Sequence, residues 1–158
     1  MTLRIAIGSD HHGVAVRSKT AELLRNAGHT VDEFGPLPDN KQPVDYPDIA
    51  AAVAEEVHCG KVDRGILICG TGIGMCITAN KFSGVRAAPV IDELSAELSR
   101  RHNDLNVLCI SGDMLTEEMI YRIICVFLET SFDGGRHIRR LAKIEKIEEQ
   151  LGMASPNG

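Results

Sequence analysis

Five short apolar runs alternate along this chain with stretches of helical periodicity, and that alternation limits its fold more than any other feature. The runs are Leu3–Gly8, His29–Phe34, Gly65–Cys69, Val85–Val90 and Leu105–Ile110. Between them the pattern predicts helices over Gly13–Ala27, Pro47–His58, the glycine-rich stretch to about Phe82, Asp92–Arg101 and Thr116–Leu128. Pro36, Pro38 and Pro43 with Asp39-Asn40 force a loop between Gly35 and Tyr46. Asp92 and Thr116 are placed to cap the helices that follow them. Strand–helix alternation of this kind builds parallel β-α-β units, and strands so uniformly apolar need cover on both faces. The expected fold is α/β: a Rossmann-like, doubly wound, five-stranded parallel sheet. A last helix over Arg136–Leu151 has no strand to return to. That extra C-terminal helix is suited to packing on a partner subunit. The chain reads as one domain over residues 1–152, with 153–158 as a flexible tail.

Bulk properties narrow the function. A chain of 158 residues can bury enough surface to fold without metal or disulfide staples. The net charge of −5 argues against nucleic acid or an acidic membrane as partner. No apolar run approaches a membrane span, and the apolar stretch near the N-terminus is too short for a secretory signal. A cytoplasmic address is expected. The five cysteines include no C-x-x-C pair that would suggest zinc or redox chemistry. Cys109 and Cys125 sit in apolar runs and read as core residues.

In a doubly wound sheet, ligands sit beyond the carboxyl ends of the strands. The first strand ends in Ser9-Asp10-His11-His12-Gly13, where Asp10 either contacts a ligand or caps the next helix. The third ends in Cys69-Gly70-Thr71-Gly72-Ile73-Gly74. Three glycines bring bare backbone N–H groups together at a helix start, a pocket for negative charge. Cys69 stands at its mouth. A thiol of ordinary pKa about 8.5 ionises more readily where N–H dipoles face it. It can then attack a carbonyl or take a proton from carbon. The alternative is a packed strand residue beside a tight turn. The glycine order G-x-G-x-G departs from the dinucleotide fingerprint G-x-G-x-x-G and stands on the third strand, which argues against a nucleotide cofactor. His102 and Asn103 precede the fifth strand, and His102 could serve as an acid or simply cap its helix. Arg136 and Arg140, four apart, share one helix face and could clamp a phosphate or form a solvated basic face.

Together, the segments IGSDHHG, DYPDIA, GILICGTGIGM, TANKFSGVRAA, SRRHNDLNVL and FDGGRHIRR resemble the type B ribose-5-phosphate isomerases. That family also includes allose-6-phosphate and galactose-6-phosphate isomerases. The resemblance spans Ile7 to Arg140. It implies metal-free and cofactor-free aldose–ketose isomerisation through an enediolate. It implies Cys69 as base, His102 as the acid that opens the sugar ring, and Asp10 and Thr71 ordering the hydroxyls. The enediolate oxygen would lie against backbone N–H groups of Gly70, Thr71, Gly72, Ile73 and Gly74. His11, Arg136 and Arg140 would hold the phosphate, and Asn103 would contact the sugar. By the same resemblance the site lies between two subunits of a homodimer, with His102 and Asn103 from the neighbour, and a tetramer is the larger alternative. Some relatives carry a glutamate base where this chain has Met75, which leaves Cys69 as the candidate. Many carry an arginine near the phosphate where this chain has Asp113, an acid expected to point away or to pair with Arg136 or Arg140. The rival readings are the same chemistry on a six-carbon sugar phosphate and a non-catalytic phosphosugar or nucleotide sensor. The sensor would leave Cys69 and His102 without a task.

Overall fold

In the computed structural model, which describes residues 1–40 and 42–153, the strands are β1 (Arg4–Ser9), β2 (Thr30–Phe34), β3 (Arg64–Cys69), β4 (Ala87–Pro89) and β5 (Val107–Ser111). The helices are α1 (Val14–Asn26), α2 (Tyr46–His58), α3 (Ile73–Ala79), α4 (Glu93–Asn103), α5 (Glu117–Glu129) and α6 (Arg136–Gln150). Every strand pair is parallel and the sheet order is β2-β1-β3-β5-β4. This is the doubly wound α/β architecture expected from the alternation.

Side-chain parity divides the core into two layers, because successive strand residues point to opposite faces. Ile5, Ile7, Ile66, Ile68, Leu108 and Ile110 pack under α1, α4 and α5 with Leu24, Ala96, Ile120, Ile124 and Phe127. Ala6, Leu67, Cys69, Val107 and Cys109 face the other way, against Ala50, Val53 and Ala54 of α2 and Met75 and Ala79 of α3. Each of these large aliphatic side chains contributes roughly 1.5–3 kcal/mol by leaving water. The two layers explain why β3 and β5 carry no polar alternation: both faces are interior.

Caps match their sequence signals. Asp92 accepts the Ser95 N–H at 2.6 Å in a capping box, and Thr116 Oγ1 accepts the Met119 N–H at 3.3 Å. α3 and β4 are shorter than expected. α3 stops at Ala79 because the Asn80 side chain turns back, donating to the carbonyls of Cys76 at 3.1 Å and Ala87 at 2.9 Å. β4 is confined to Ala87–Pro89 because it lies on the sheet edge, contains a proline, and the N–H of Val85 closes a turn onto Phe82 at 3.1 Å.

α6 belongs to neither layer; Glu148 near its end accepts from the N–H of Gly84 at 2.9 Å and from the Ser83 hydroxyl at 3.2 Å. Of the expected tail, Met153 donates to the Glu148 carbonyl at 3.0 Å, and 154–158 lie outside the described residues. No helix among the described residues is long and apolar enough to cross a membrane.

Candidate active site

The chain leaves β1 for β2 on one side, then returns to place β3 on the other side of β1. Connections diverge there, so a crevice opens at the carboxyl ends of β1 and β3. Asp10 and Cys69 sit on its two walls. The Asp10 N–H donates to the Ile68 carbonyl at 3.3 Å, which carries the strand pairing one residue beyond the sheet.

Asp10 is buried, and its Oδ1 accepts the His12 N–H at 2.9 Å. It therefore does not cap α1: the N-cap position is Gly13, and no side chain caps the helix. An Asx turn within its own loop takes one oxygen, and the other has no partner among the described residues. His11 and His12 are exposed, their rings 4.4 Å apart.

Cys69 is 5% exposed, and its Sγ accepts the Gly72 N–H at 3.1 Å. Such a bond is stronger to a thiolate than to a thiol. Gly72 can present its N–H this way because its φ is +77°, the left-handed region that glycine enters without strain. A side chain is excluded there in any case, since a Cβ would stand 3.1 Å from the Ile110 backbone. Thr71 is exposed, and its Oγ1 accepts the Ile73 N–H at 3.3 Å. Gly72 and Ile73 thus spend their N–H groups within the turn. Those of Thr71 and Gly74 have no protein acceptor among the described residues. The ring of Tyr46 covers Gly74, a placement with no sequence signal beyond the DYPDIA segment. Met75 is fully buried in the α2–α3 layer and serves packing alone.

The loop after β5 is laced to this turn. The Gly112 N–H donates to the Cys69 carbonyl at 2.8 Å, and the Ser111 hydroxyl donates to the Gly70 carbonyl at 2.6 Å. Asp113, expected to point away or to meet an arginine of α6, instead pairs with His12 at 3.3 Å, because this lacing carries it over Gly70.

His102, Asn103, Arg136 and Arg140 are elsewhere. α4 delivers His102 and Asn103 to the amino end of β5, where the Asn103 carbonyl accepts from Arg86 Nε at 3.1 Å. Cys69 and Ser111 pair at the opposite end of β3 and β5. The five residues of β5, at about 3.3 Å each, separate the two groups. Within one chain the structure brings Asp10, His11, Gly70, Thr71, Gly72, Ile73 and Gly74 to Cys69, and His102, Asn103, Arg136 and Arg140 to the far pole.

That pole has its own order. His102 stacks on His137, ring centroids 4.6 Å apart and planes 7° from parallel. His137 is buried, and its pKa is lowered first by burial, then by the positive charge of His102, Arg136 and Arg140. Sequence reading missed His137; only its place between Arg136 and Arg140 hinted at it. Ligand atoms of His102, Asp133 and His137 come within 4.8 Å of one another, a spacing that could suit a metal. Yet both Asp133 oxygens already accept from Arg101 Nε, at 3.1 and 3.2 Å, and Arg136 and Arg140 add two more positive charges. A surplus of cations suits an anion better than a metal ion. Arg136 and Arg140 are exposed and without an ion pair among the described residues.

Cys76 is the other thiol of note. Hydrogen bonds from Cys109 and then Asn80 outweigh burial and hold it to about 7. It sits on α3 with its Sγ 3.4 Å from the Ala87 carbonyl of the edge strand β4.

A doubly wound α/β sheet with a thiol and a glycine turn at its topological switch point is the frame of a small-molecule enzyme. A family model for ribose/galactose isomerase matches residues 5–144. Ribose-5-phosphate isomerase B of Escherichia coli is 40% identical over 93% of this chain and 97% of its own. D-erythrulose-4-phosphate isomerase of Pectobacterium atrosepticum is 38% identical over 94% of this chain and 97% of its own. The crystal structure of ribose-5-phosphate isomerase B from Mycoplasma genitalium with bound ribulose-5-phosphate superposes with a TM-score of 0.89. It is 42% identical and covers 93% of this chain and 97% of that one. The chain belongs to the ribose/galactose isomerase family.

Proposed function

We propose that this chain interconverts D-ribose 5-phosphate and D-ribulose 5-phosphate through an enediolate, as a single-domain enzyme working in the cytoplasm without a cofactor. The observation that carries the reading is the Cys69 sulfur, bonded at 3.1 Å to the Gly72 N–H across the crevice wall from Asp10. On the open-chain aldose, the Cys69 thiolate takes the proton from C2, and the electron pair moves onto the C1 carbonyl oxygen. The same thiol returns that proton to C1, while a hydroxyl proton passes from O2 to O1 under the ordering of Asp10 and Thr71. Within the Gly70–Gly74 turn, the unspent backbone N–H groups of Thr71 and Gly74 hold the enediolate oxygen; a donor of this kind is worth about 3–4 kcal/mol of barrier. His102 protonates the ring oxygen as the furanose opens. His11, Arg136 and Arg140 hold the phosphate, and Asn103 contacts the sugar.

The site is shared between two copies in a homodimer, with a tetramer as a further assembly. Three features support this. His102 and Asn103 lie a strand's length from Cys69 in their own chain. Ile73 and Ile77, one turn apart on α3, are exposed beside the glycine turn, and Ile138, Ile144 and Ile147 of α6 are exposed as well. Four surface clefts of the single chain, the widest about 700 Å³, are lined without Cys69, as suits a pocket that a second copy completes. A sugar phosphate of different length is the second reading, favoured by the similarity to an isomerase named for a four-carbon substrate; six-carbon allose 6-phosphate is the other arm of that test.

The decisive experiment pairs two variants. Cys69→Ala and His102→Asn are each expected to lose turnover of ribose 5-phosphate, Cys69→Ala while still binding it. Unfolded together and refolded as a mixture, they should regain about one quarter of the native activity, since half the pairs are mixed and each mixed pair has one intact site. Near-normal kcat in Cys69→Ala overturns the base assignment, and a dead mixture overturns the shared site.

A further inference from the structure

The loops after β1, β3 and β5 meet at the carboxyl end of the sheet, and their charges are unusual for a place that receives a sugar phosphate. Asp113 Oδ2 lies 3.0 Å from where a Cβ on Gly70 would stand, so a carboxylate overhangs the turn that carries Cys69. Asp10 adds a second carboxylate, buried on the facing wall. Against these stand the imidazoles of His11 and His12, with His12 Nδ1 held to Asp113 at 3.3 Å. No guanidinium or ammonium group on the described residues compensates at this end. Arg17 of α1 is turned underneath, donating to Ser9, Phe34 and Pro36, and Lys19 is bound to Glu117 at 2.6 Å. The overhang is anchored, because Gly112 and Ser111 are hydrogen-bonded to Cys69 and Gly70 and the Met114 N–H donates to the Ser111 hydroxyl at 2.9 Å.

The geometry points to Asp113, held by His12, as a specificity-determining residue that penalises a dianion beside Gly70 and accepts sugar hydroxyls there instead. A carboxylate accepts hydrogen bonds from hydroxyls and repels a phosphate. The substrate is thereby admitted in one orientation, its phosphate on His11, Arg136 and Arg140 and its hydroxyl-bearing part toward Asp113 and Cys69. The His12 ring nitrogen occupies one oxygen of Asp113, so the penalty is graded rather than absolute. The proposal rests on the sugar-phosphate reading and assigns that site its polarity.

The test is calorimetric titration of inorganic phosphate into the wild type, Asp113→Asn, Asp113→Glu and His12→Gln, with turnover of ribose 5-phosphate followed in parallel. Removing the charge should tighten phosphate binding about fivefold, the scale of a half-exposed charge interaction. Asp113→Glu, which keeps the charge and changes the shape, should stay within about twofold of wild type. His12→Gln, which removes the ring nitrogen held to Asp113, should weaken phosphate about threefold. Unchanged or weaker binding in Asp113→Asn, or equal gains in Asn and Glu, overturns the proposal. If Asp113→Asn fails to fold, unchanged phosphate affinity in His12→Gln overturns it alone. Wild-type protein that never turns over ribose 5-phosphate would defeat the isomerase reading, while the phosphate ranking of the variants would still decide the role of Asp113.

Discussion

The ring of Tyr46 lies 2.6 Å from the point where a Cβ on Gly74 would stand, so the first turn of α2 closes directly over the turn that follows Cys69. Gly74→Ala must displace either that ring or α3. Overpacking of this sort costs about 1–3 kcal/mol. The expected outcome is a melting temperature lower by roughly 3–10 °C, with kcat/KM lower by about tenfold from the shifted N–H groups. Adding Tyr46→Ala should restore most of the melting temperature. If Gly74→Ala alone melts like the native protein, the contact is not a constraint.

Acid should act through His137. Burial and the neighbouring His102, Arg136 and Arg140 hold its folded pKa below the ordinary 6.5. A histidine depressed in this way adds stability that is complete above about 6.5 and is lost as pH falls through the folded value. The native melting temperature should therefore decline more steeply from about pH 7 to pH 5 than that of His137→Asn. Parallel melting curves across that window would contradict the assignment.

Among the thiols, Cys76 should react first with iodoacetamide, its rate rising with pH around a midpoint of about 7. Cys109, its partner, is pushed well above the usual thiol range and should stay unlabelled. Mass spectrometry of partly alkylated protein locates the adduct. Cys76→Ser should remove the fast phase and keep turnover. Loss of turnover in step with Cys76 labelling would make Cys76, rather than Cys69, the reactive sulfur.

Much of this was legible in the sequence. The alternation of apolar runs placed all five strands, and Asp92 and Thr116 announced their helices because a cap acts within three residues. β4 was drawn too long because edge position is decided by the sheet order and not by the run itself. The place of Cys69 beside the glycine turn was legible because both lie within five residues of sequence. Tyr46, His137 and the His12–Asp113 pair were not, since each depends on loops or helices that meet only after folding. Asp10 stayed open in the sequence between a ligand contact and a helix cap, and only the folded loop excludes the cap, because its Oδ1 accepts the His12 N–H while α1 has no side-chain cap.

The β5 ladder that stands between His102 and Cys69 is a rigid spacer, and side-chain motion does not shorten a paired strand. Making the isolated polypeptide sturdier, by filling its core or proline-locking its loops, would therefore raise its resistance to heat without moving the imidazole any nearer the sulfur. Such variants would separate robustness from turnover. Directed evolution that screens for the first should return many folds as good as the parent with nothing gained in the second.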